Sequence, residues 1–495
     1  MRGRVNSGCA VYRHESVTRP SCVSVAPQQH HRALAALKAV LARSMELPLK
    51  KSAASSEIYL DYAGMAPVVQ EVIAAVSHVL ASQPLGNPHS GGHSSQRAQS
   101  ILSQGRACIL DFCGASPLEY YVVFTAGATA SIKLVGEAFQ WTSKSVFAYT
   151  LENHTSVVGL RNLAVAAGAS ARVVDLDSST FPVQLSSDAD SSNLFAFPGE
   201  CNFSGDLYSL RLCHDVRCGL LGPGKWFVLV DAAKLAAGSP IVLGNLEHPP
   251  DFLAISFYKM FGFPTGIGAL LVRRRAAHVL RRNMTDCQLH HYFGGGTVQA
   301  LSATSMFVSM RPQLAASLED GSANIHGVAA VLHGLHFLSS IGMQSISRYN
   351  ATLRSKLISM LNDMKYGDSK NFAIIHDAHH AQRRHKWIIG CGAIVSFTLL
   401  KADGSCIGYT TAPFPHCIFV TFDQVYRSRH CASPGKHSSE NRCSVQHRSC
   451  AALLGSYGPR HPPPLAGGPC VLGRHGRHRW SANRGCQGFV WYVHH

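Results

Sequence analysis

Residues 251–272 run D-F-L-A-I-S-F-Y-K-M-F-G-F-P-T-G-I-G-A-L-L-V. An apolar run at 252–257 delivers Lys259 into a turn rich in Gly262, Pro264, Gly266 and Gly268, and a second apolar run, 269–272, leads away. Two short apolar runs split by glycines predict paired buried strands joined by a tight loop. An amine at the mouth of such a loop is partly desolvated, which lowers a lysine's pKa toward the nucleophilic free base. That is the state in which a lysine condenses with an aldehyde cofactor. A lysine that merely leaves a strand end for water satisfies the same residues, so the choice turns on what lies upstream.

Residues 226–234, W-F-V-L-V-D-A-A-K, read as an apolar strand with Asp231 at its carboxyl end. Ligands of open α/β sheets sit outside those ends. A carboxylate there, in one domain with an activated lysine, suits pyridoxal phosphate, whose ring nitrogen it keeps protonated. Farther back, Y-Y-V-V-F (120–124) predicts another strand, followed by T-A-G-A-T (125–129) and a helical run to Phe139. A small-residue turn that opens a helix offers free N–H groups and the positive end of the helix dipole to a phosphate. Phosphate turn, acidic strand end and lysine loop occur in that order.

Several motifs resemble the aminotransferase-like domain of molybdenum cofactor sulfurases, relatives of the cysteine desulfurases. They are Y-L-D-Y-A-G (59–64), G-N-P-H-S (86–90), F-T-A-G-A-T-A-S (124–131), N-H-T-S-V-V-G (153–159), P-G-E-C-N-F-S-G (198–205), V-D-A-A-K (230–234), S-F-Y-K-M-F-G-F-P-T-G (256–266) and Y-F-G-G-G-T-V (292–298). The likeness runs from about Glu57 to Tyr409. It implies an α/β fold of the aspartate aminotransferase type and pyridoxal 5'-phosphate as cofactor. The implied reaction takes sulfur from L-cysteine, leaving L-alanine, and passes it through an enzyme persulfide to the molybdenum cofactor of xanthine dehydrogenase and aldehyde oxidase. Lys259 then carries the cofactor and moves protons, Asp231 holds the pyridinium, and His154 stacks on the ring. Ala128, Thr129 and Ser256 hold the phosphate, and Asn202 approaches the 3′-oxygen. Lys234 stands where cysteine desulfurases often have glutamine and Tyr258 where they commonly have histidine, which favours the sulfurase branch. Gly294-Gly295-Gly296-Thr297 borders the site. Glu319-Asp320-Gly321-Ser322 matches a loop that reaches a neighbouring subunit's phosphate, so a homodimer is expected with Ser322 as candidate ligand. A cysteine desulfurase for another pathway, or a catalytically dead scaffold of this fold, remains the alternative.

The chain has 495 residues, 46% of them hydrophobic, enough for a sizeable core. Its net charge of +17 lies mostly at the ends, +6 in residues 1–44 and +8 in residues 410–495, leaving +3 between. A basic surface that draws nucleic acid is therefore not expected of the folded part. Sixteen cysteines are scattered with no C-x-x-C pair, which argues against a zinc ribbon or a disulfide scaffold and for free thiols in a reducing, cytoplasmic compartment. No apolar run reaches eighteen residues, so no transmembrane helix is expected.

Residues 1–56 read as a disordered leader or as sequence ahead of a true start at Met45. Residues 57–325 are expected to form the cofactor-binding large domain. Helices are predicted over 67–80, 95–113 and 155–167, and strands over 146–149, 171–176 and 194–197, which calls for a largely parallel sheet with helices on both faces. A smaller α+β domain is expected over 326–409, with helices first and strands near 372–376 and 393–400. His376, His379, His380 and His385 surround Arg383 and Arg384 and read as a solvated loop rather than a metal site. From residue 410 no periodicity is sustained, apart from a strand-like piece at 414–425. The family's persulfide cysteine and carboxylate-binding arginine are not recognisable there, and none of Cys431, Cys443, Cys450, Cys470 or Cys486 has the right neighbours. Residues 469–489 back-translate, with a one-nucleotide shift, into a sulfurase-like ending, so the tail after about Tyr409 is expected to be out of frame.

Overall fold

The computed structural model describes residues 61–176, 184–185, 188–280, 292–366, 369–376, 386–400 and 403–405, and the backbone of 418–420. The expected leader, the tail cysteines and all of the histidine cluster except His376 lie outside those residues.

The first eight strands are β1 (Tyr120–Thr125), β2 (Val146–Thr150), β3 (Ser170–Val174), β4 (Ser192–Pro198), β5 (Asp206–Tyr208), β6 (Lys225–Asp231), β7 (Phe252–Ser256) and β8 (Gly268–Arg273). All but β5 join one sheet in the order β1-β8-β7-β6-β4-β2-β3. Neighbours among β7, β6, β4, β2 and β3 are parallel, while β8 runs antiparallel to both β7 and β1. Parallel strands covered on both faces lose the alternation of half-exposed strands and read as continuous apolar runs. That is why F-V-L-V and F-L-A-I were visible as strands in the sequence. Alternate residues divide between two cores. Phe195, Phe197, Val228, Val230, Leu253 and Ile255 face one, and Leu194, Ala196, Phe227, Leu229, Phe252 and Ala254 the other. Helices Gln70–Ser82, His93–Phe112 and Ile325–Ile341 contribute to the first core, and Ala128–Ala138 and Leu160–Ala166 to the second.

The helix expected over 155–167 forms as two segments, Thr155–Val158 and Leu160–Ala166, joined at Gly159. Glycine is the weakest ordinary helix former, and here it keeps helical angles (φ −60°, ψ −24°) while the segments divide. A third core gathers Leu353, Leu357 and Leu361 of helix Met343–Asp363 against strands Ala373–Ile375 and Val395–Leu399. The strand-like piece near 414–425 appears as Ile418–Val420, antiparallel to Val395–Leu399. Among the described residues no single helix is long and apolar enough to cross a membrane.

One ion pair ties the cofactor-side turn to the rest. Arg106 meets Glu319 through two bonds of 2.7 and 2.8 Å, and Glu319 Oε1 also accepts the Phe124 amide at 2.7 Å. The Arg106 guanidinium covers the Phe124 ring at 4.5 Å. Removing the cation leaves a mostly buried carboxylate with one partner fewer, so Arg106→Ala should cost about 3 kcal/mol in urea unfolding. Adding Glu319→Gln should restore part of it. A single-variant loss below about 0.5 kcal/mol, typical of exposed pairs, would contradict this reading.

Candidate active site

Because β1, β2, β4, β6 and β7 all run the same way, their carboxyl ends share one edge of the sheet. Every segment carrying a predicted site residue except Ser322 leaves from that edge. Residues 126–129 follow β1, His154 follows β2, Asn202 follows β4, Asp231 ends β6, Ser256 ends β7 and Lys259 follows it.

The phosphate turn is built by register. Thr125 pairs with Gly268, and Gly268 pairs with Ser256 on its other side, so Ser256 is level with the turn after β1. Gly127 has φ +149° with open space where a side chain would stand, and it starts helix Ala128–Ala138 with no side-chain cap. Free amides at the dipole's positive end and open space beside Gly127 fit a phosphate. A Cβ at Gly268 would overlap the Gly127 backbone, which explains a glycine there. Thr129 Oγ1 lies 2.8 Å from Ser156 Oγ, which in turn lies 2.9 Å from His154 Nδ1. The Ser156 amide donates to the same Nδ1 at 3.1 Å, so the neutral imidazole carries its proton on Nε2. Buried Asn153 fixes this loop, its Nδ2 donating to the carbonyls of Thr150 and Ala196 at 3.0 Å each.

Lys259 sits in the short helix Tyr258–Phe261, closed by left-handed Gly262 (φ +78°). Burial lowers its pKa; Lys234 lowers it further, while Asp231, Asp61 and Glu200 oppose the shift. Burial likewise lowers the pKa of His154, against the charge of Asp231 and with that of Lys259. His154 after β2, Asp231 at the end of β6 and Lys259 after β7 share the carboxyl-end edge, near enough for these charges to act on one another. Asp231 is 9% exposed and accepts the Ala233 amide at 3.0 Å through Oδ1.

The sequence reading singled out neither Asn153 nor Glu200. Glu200 is 3% exposed, and no side chain hydrogen-bonds its carboxylate. Burial pushes its pKa up to about 7, opposed by Lys234, the nearby Ala393 amide and Lys259. A Cβ on Gly392 would overlap its carboxylate, so the second-domain loop closes directly over it. Lys234, 8% exposed, shares this interior.

Asn202 lies half-buried in the turn 201–205, which the smaller domain braces: the Gly392 amide donates to Gly205 O at 2.7 Å, and Ser396 Oγ donates to Phe203 O. Ser322 is exposed. Its loop meets the triple glycine, with the Gly294 amide donating to Asp320 Oδ1 at 2.9 Å and the Gly321 amide to Gly295 O at 2.7 Å. The structure thus brings Ala128, Thr129, His154, Asp231, Ser256 and Lys259 to one edge and leaves Ser322 on an outer loop. His376 Nε2 lies 2.8 Å from Thr398 Oγ1, and its ring packs on Phe203.

Desolvated amine, buried acid, imidazole and phosphate cradle define a transferase-type α/β site whose donor set suits pyridoxal phosphate. The family model for aminotransferase class-V matches residues 58–385, and the chain belongs to that family. It is 36% identical over 387 residues to a molybdenum cofactor sulfurase of Oryza sativa, covering 71% of this chain and 45% of that protein. It is 37% identical over 371 residues to one of Homo sapiens, covering 71% and 40%. The chain therefore spans less than half the length of these relatives. In fold it resembles a cysteine desulfurase from Thermococcus onnurineus (TM-score 0.54, 22% identity, 69% of this chain and 78% of that one). A cysteine desulfurase from Escherichia coli gives TM-score 0.53 at 20% identity over 74% and 82%.

Proposed function

We propose that the chain mobilises sulfur from L-cysteine, leaving L-alanine, and supplies it to the molybdenum cofactor of molybdenum-dependent hydroxylases. One observation carries the reading: a desolvated lysine faces Asp231 and His154 in a chain over a third identical to molybdenum cofactor sulfurases. Bound pyridoxal phosphate would supply an electron sink for bonds at the substrate's α-carbon. Lys259 Nζ anchors that cofactor and, as free base, takes and returns the α-proton. Asp231 keeps the ring nitrogen protonated, His154 lies over the ring, and Ala128, Thr129 and Ser256 hold the phosphate. Asn202 serves the 3′-oxygen. A cysteine thiolate accepts the sulfur as a persulfide. A cytoplasmic homodimer, in which Ser322 reaches the partner subunit's phosphate, completes the reading.

Deleting the gene tests it: xanthine dehydrogenase and aldehyde oxidase activities should disappear while other iron–sulfur enzymes persist. General loss of iron–sulfur enzymes would instead assign the chain to another sulfur pathway. The 495-residue chain itself should hold the cofactor yet turn over cysteine poorly, because its tail lacks the expected thiol and arginine. Resequencing the transcript across codons 405–415 and restoring the frame should recover turnover. An intact frame with robust desulfuration by this chain would overturn that expectation.

A further inference from the structure

At the opposite edge of the sheet, two connections meet just before β6 and β7. The first carries His214, in helix Leu212–Asp215, and Cys218, in the turn Val216–Leu220; the second carries His248. One ligand atom from each of the three lies within 4.8 Å of the others. The four-residue spacing of His214 and Cys218 puts them on one helical face, with His214 Nε2 at 3.4 Å from Cys218 Sγ. Two ligands of a tetrahedral zinc ion, with Zn–S about 2.3 Å and Zn–N about 2.0 Å, stand about 3.5 Å apart. A thiol–imidazole hydrogen bond would account for that pair alone. It does not account for His248, whose ring lies nearly parallel to that of His214 (21°, centroids 4.9 Å apart).

The outer contacts are those of metal-binding histidines. His214 Nδ1 lies 3.4 Å from Glu247 Oε2, and His248 Nδ1 lies 2.9 Å from Glu247 O. Each Nδ1 is thus occupied by a carboxylate or carbonyl, which selects the tautomer that leaves Nε2 for a cation. The frame beneath is fixed. Arg217, next to Cys218, bonds fully buried Asp251 at 2.5 Å, three residues after His248. Asp215 is held by Trp387 Nε1 at 2.7 Å and Lys386 Nζ at 3.1 Å, so it is engaged elsewhere.

We propose that His214, Cys218 and His248 bind one zinc-type divalent cation that clamps the two connections together. Two imidazoles and a thiolate suit a borderline-soft ion and disfavour magnesium or calcium. Water completes the fourth position. The seven residues of β6, at about 3.3 Å each, separate this cation from Asp231 by ~20 Å, so it takes no part in the chemistry there.

The test uses the full, tag-free chain after chelator treatment. Zinc titrated against a chromophoric chelator should show one tight equivalent, weakened on the order of 100-fold or more by Cys218→Ser or His248→Ala. Glu247→Ala should weaken it about 10-fold, as an outer partner does. Cobalt should give a near-ultraviolet thiolate charge-transfer band and intense visible bands that Cys218→Ser removes. Because Cys218 is exposed, the serine variant should fold normally, and matching circular dichroism checks this. Wild-type and Cys218→Ser titrations that superimpose, or a cobalt spectrum unchanged by the substitution, overturn the proposal.

Discussion

Lys259→Ala should eliminate covalent capture of pyridoxal phosphate entirely, while Lys234→Ala should retain it. Both lysines lie at the same sheet edge and both act on Glu200, so proximity to an acid does not separate them. Position does. Lys234 follows β6 and is 8% exposed, sharing the interior of Glu200 beneath the loop of Gly392. Lys259 follows β7 beside Ser256, which register sets level with the phosphate turn, and burial depresses its pKa. A depressed pKa raises the fraction of free amine, the only form that attacks an aldehyde. Borohydride treatment and peptide mapping should therefore place the adduct on Lys259 in wild type and in Lys234→Ala. The Lys259→Ala protein should show no adduct and no loss of thermal stability, since the substitution removes a poorly solvated amine. An adduct on Lys234, or on any lysine of the Lys259→Ala protein, would reassign the site.

The sequence disclosed those parts whose causes are local. Apolar runs of five to seven residues mark strands buried on both faces, and Asp231 stood out because an acid ended one of them. Lys259 stood out because glycines followed it. The phosphate turn was legible as small residues before a helix. Arg106 was not, because its partner Glu319 is 213 positions away and the charge pattern of helix His93–Phe112 shows no gap. Glu200 was hidden for a similar reason: P-G-E-C reads as a polar turn, and only folding brings Lys234 and Gly392 around the carboxylate. The His214–Cys218 pair is local, but its third member comes from another connection, so a search for paired cysteines missed it. Ser322 came from a resemblance alone, and its loop is exposed.

Glu200→Gln should make the apo-protein's stability less sensitive to pH, with the largest gain under alkaline conditions. The folded-state pKa of Glu200 is raised from 4.5 to about 7, mainly by burial. Below the unfolded value both states are protonated and the side chain imposes no charge penalty. As pH rises through the folded value, the unfolded chain ionises freely while the native state must hold a buried anion. Stability contributed by the protonated carboxyl is therefore lost over this interval, and the loss levels off above it. At about 1.36 kcal/mol per unit, the full effect is about 3 kcal/mol. The charges of Lys234 and Lys259 temper it. Removing the carboxylate also leaves Lys234 without its neighbouring anion, which shifts the variant's curve by an offset. The offset belongs to Lys234; the slope belongs to Glu200. Urea unfolding of wild type and Glu200→Gln between pH 5 and 8.5 should give a stability difference that moves by about 2.5 kcal/mol in the variant's favour. Glu200 is not among the charges that act on His154, so the difference reports on Glu200. Parallel curves would mean that Glu200 is solvated or paired in the native protein, and the closed interior between Gly392 and Lys234 would have to be abandoned.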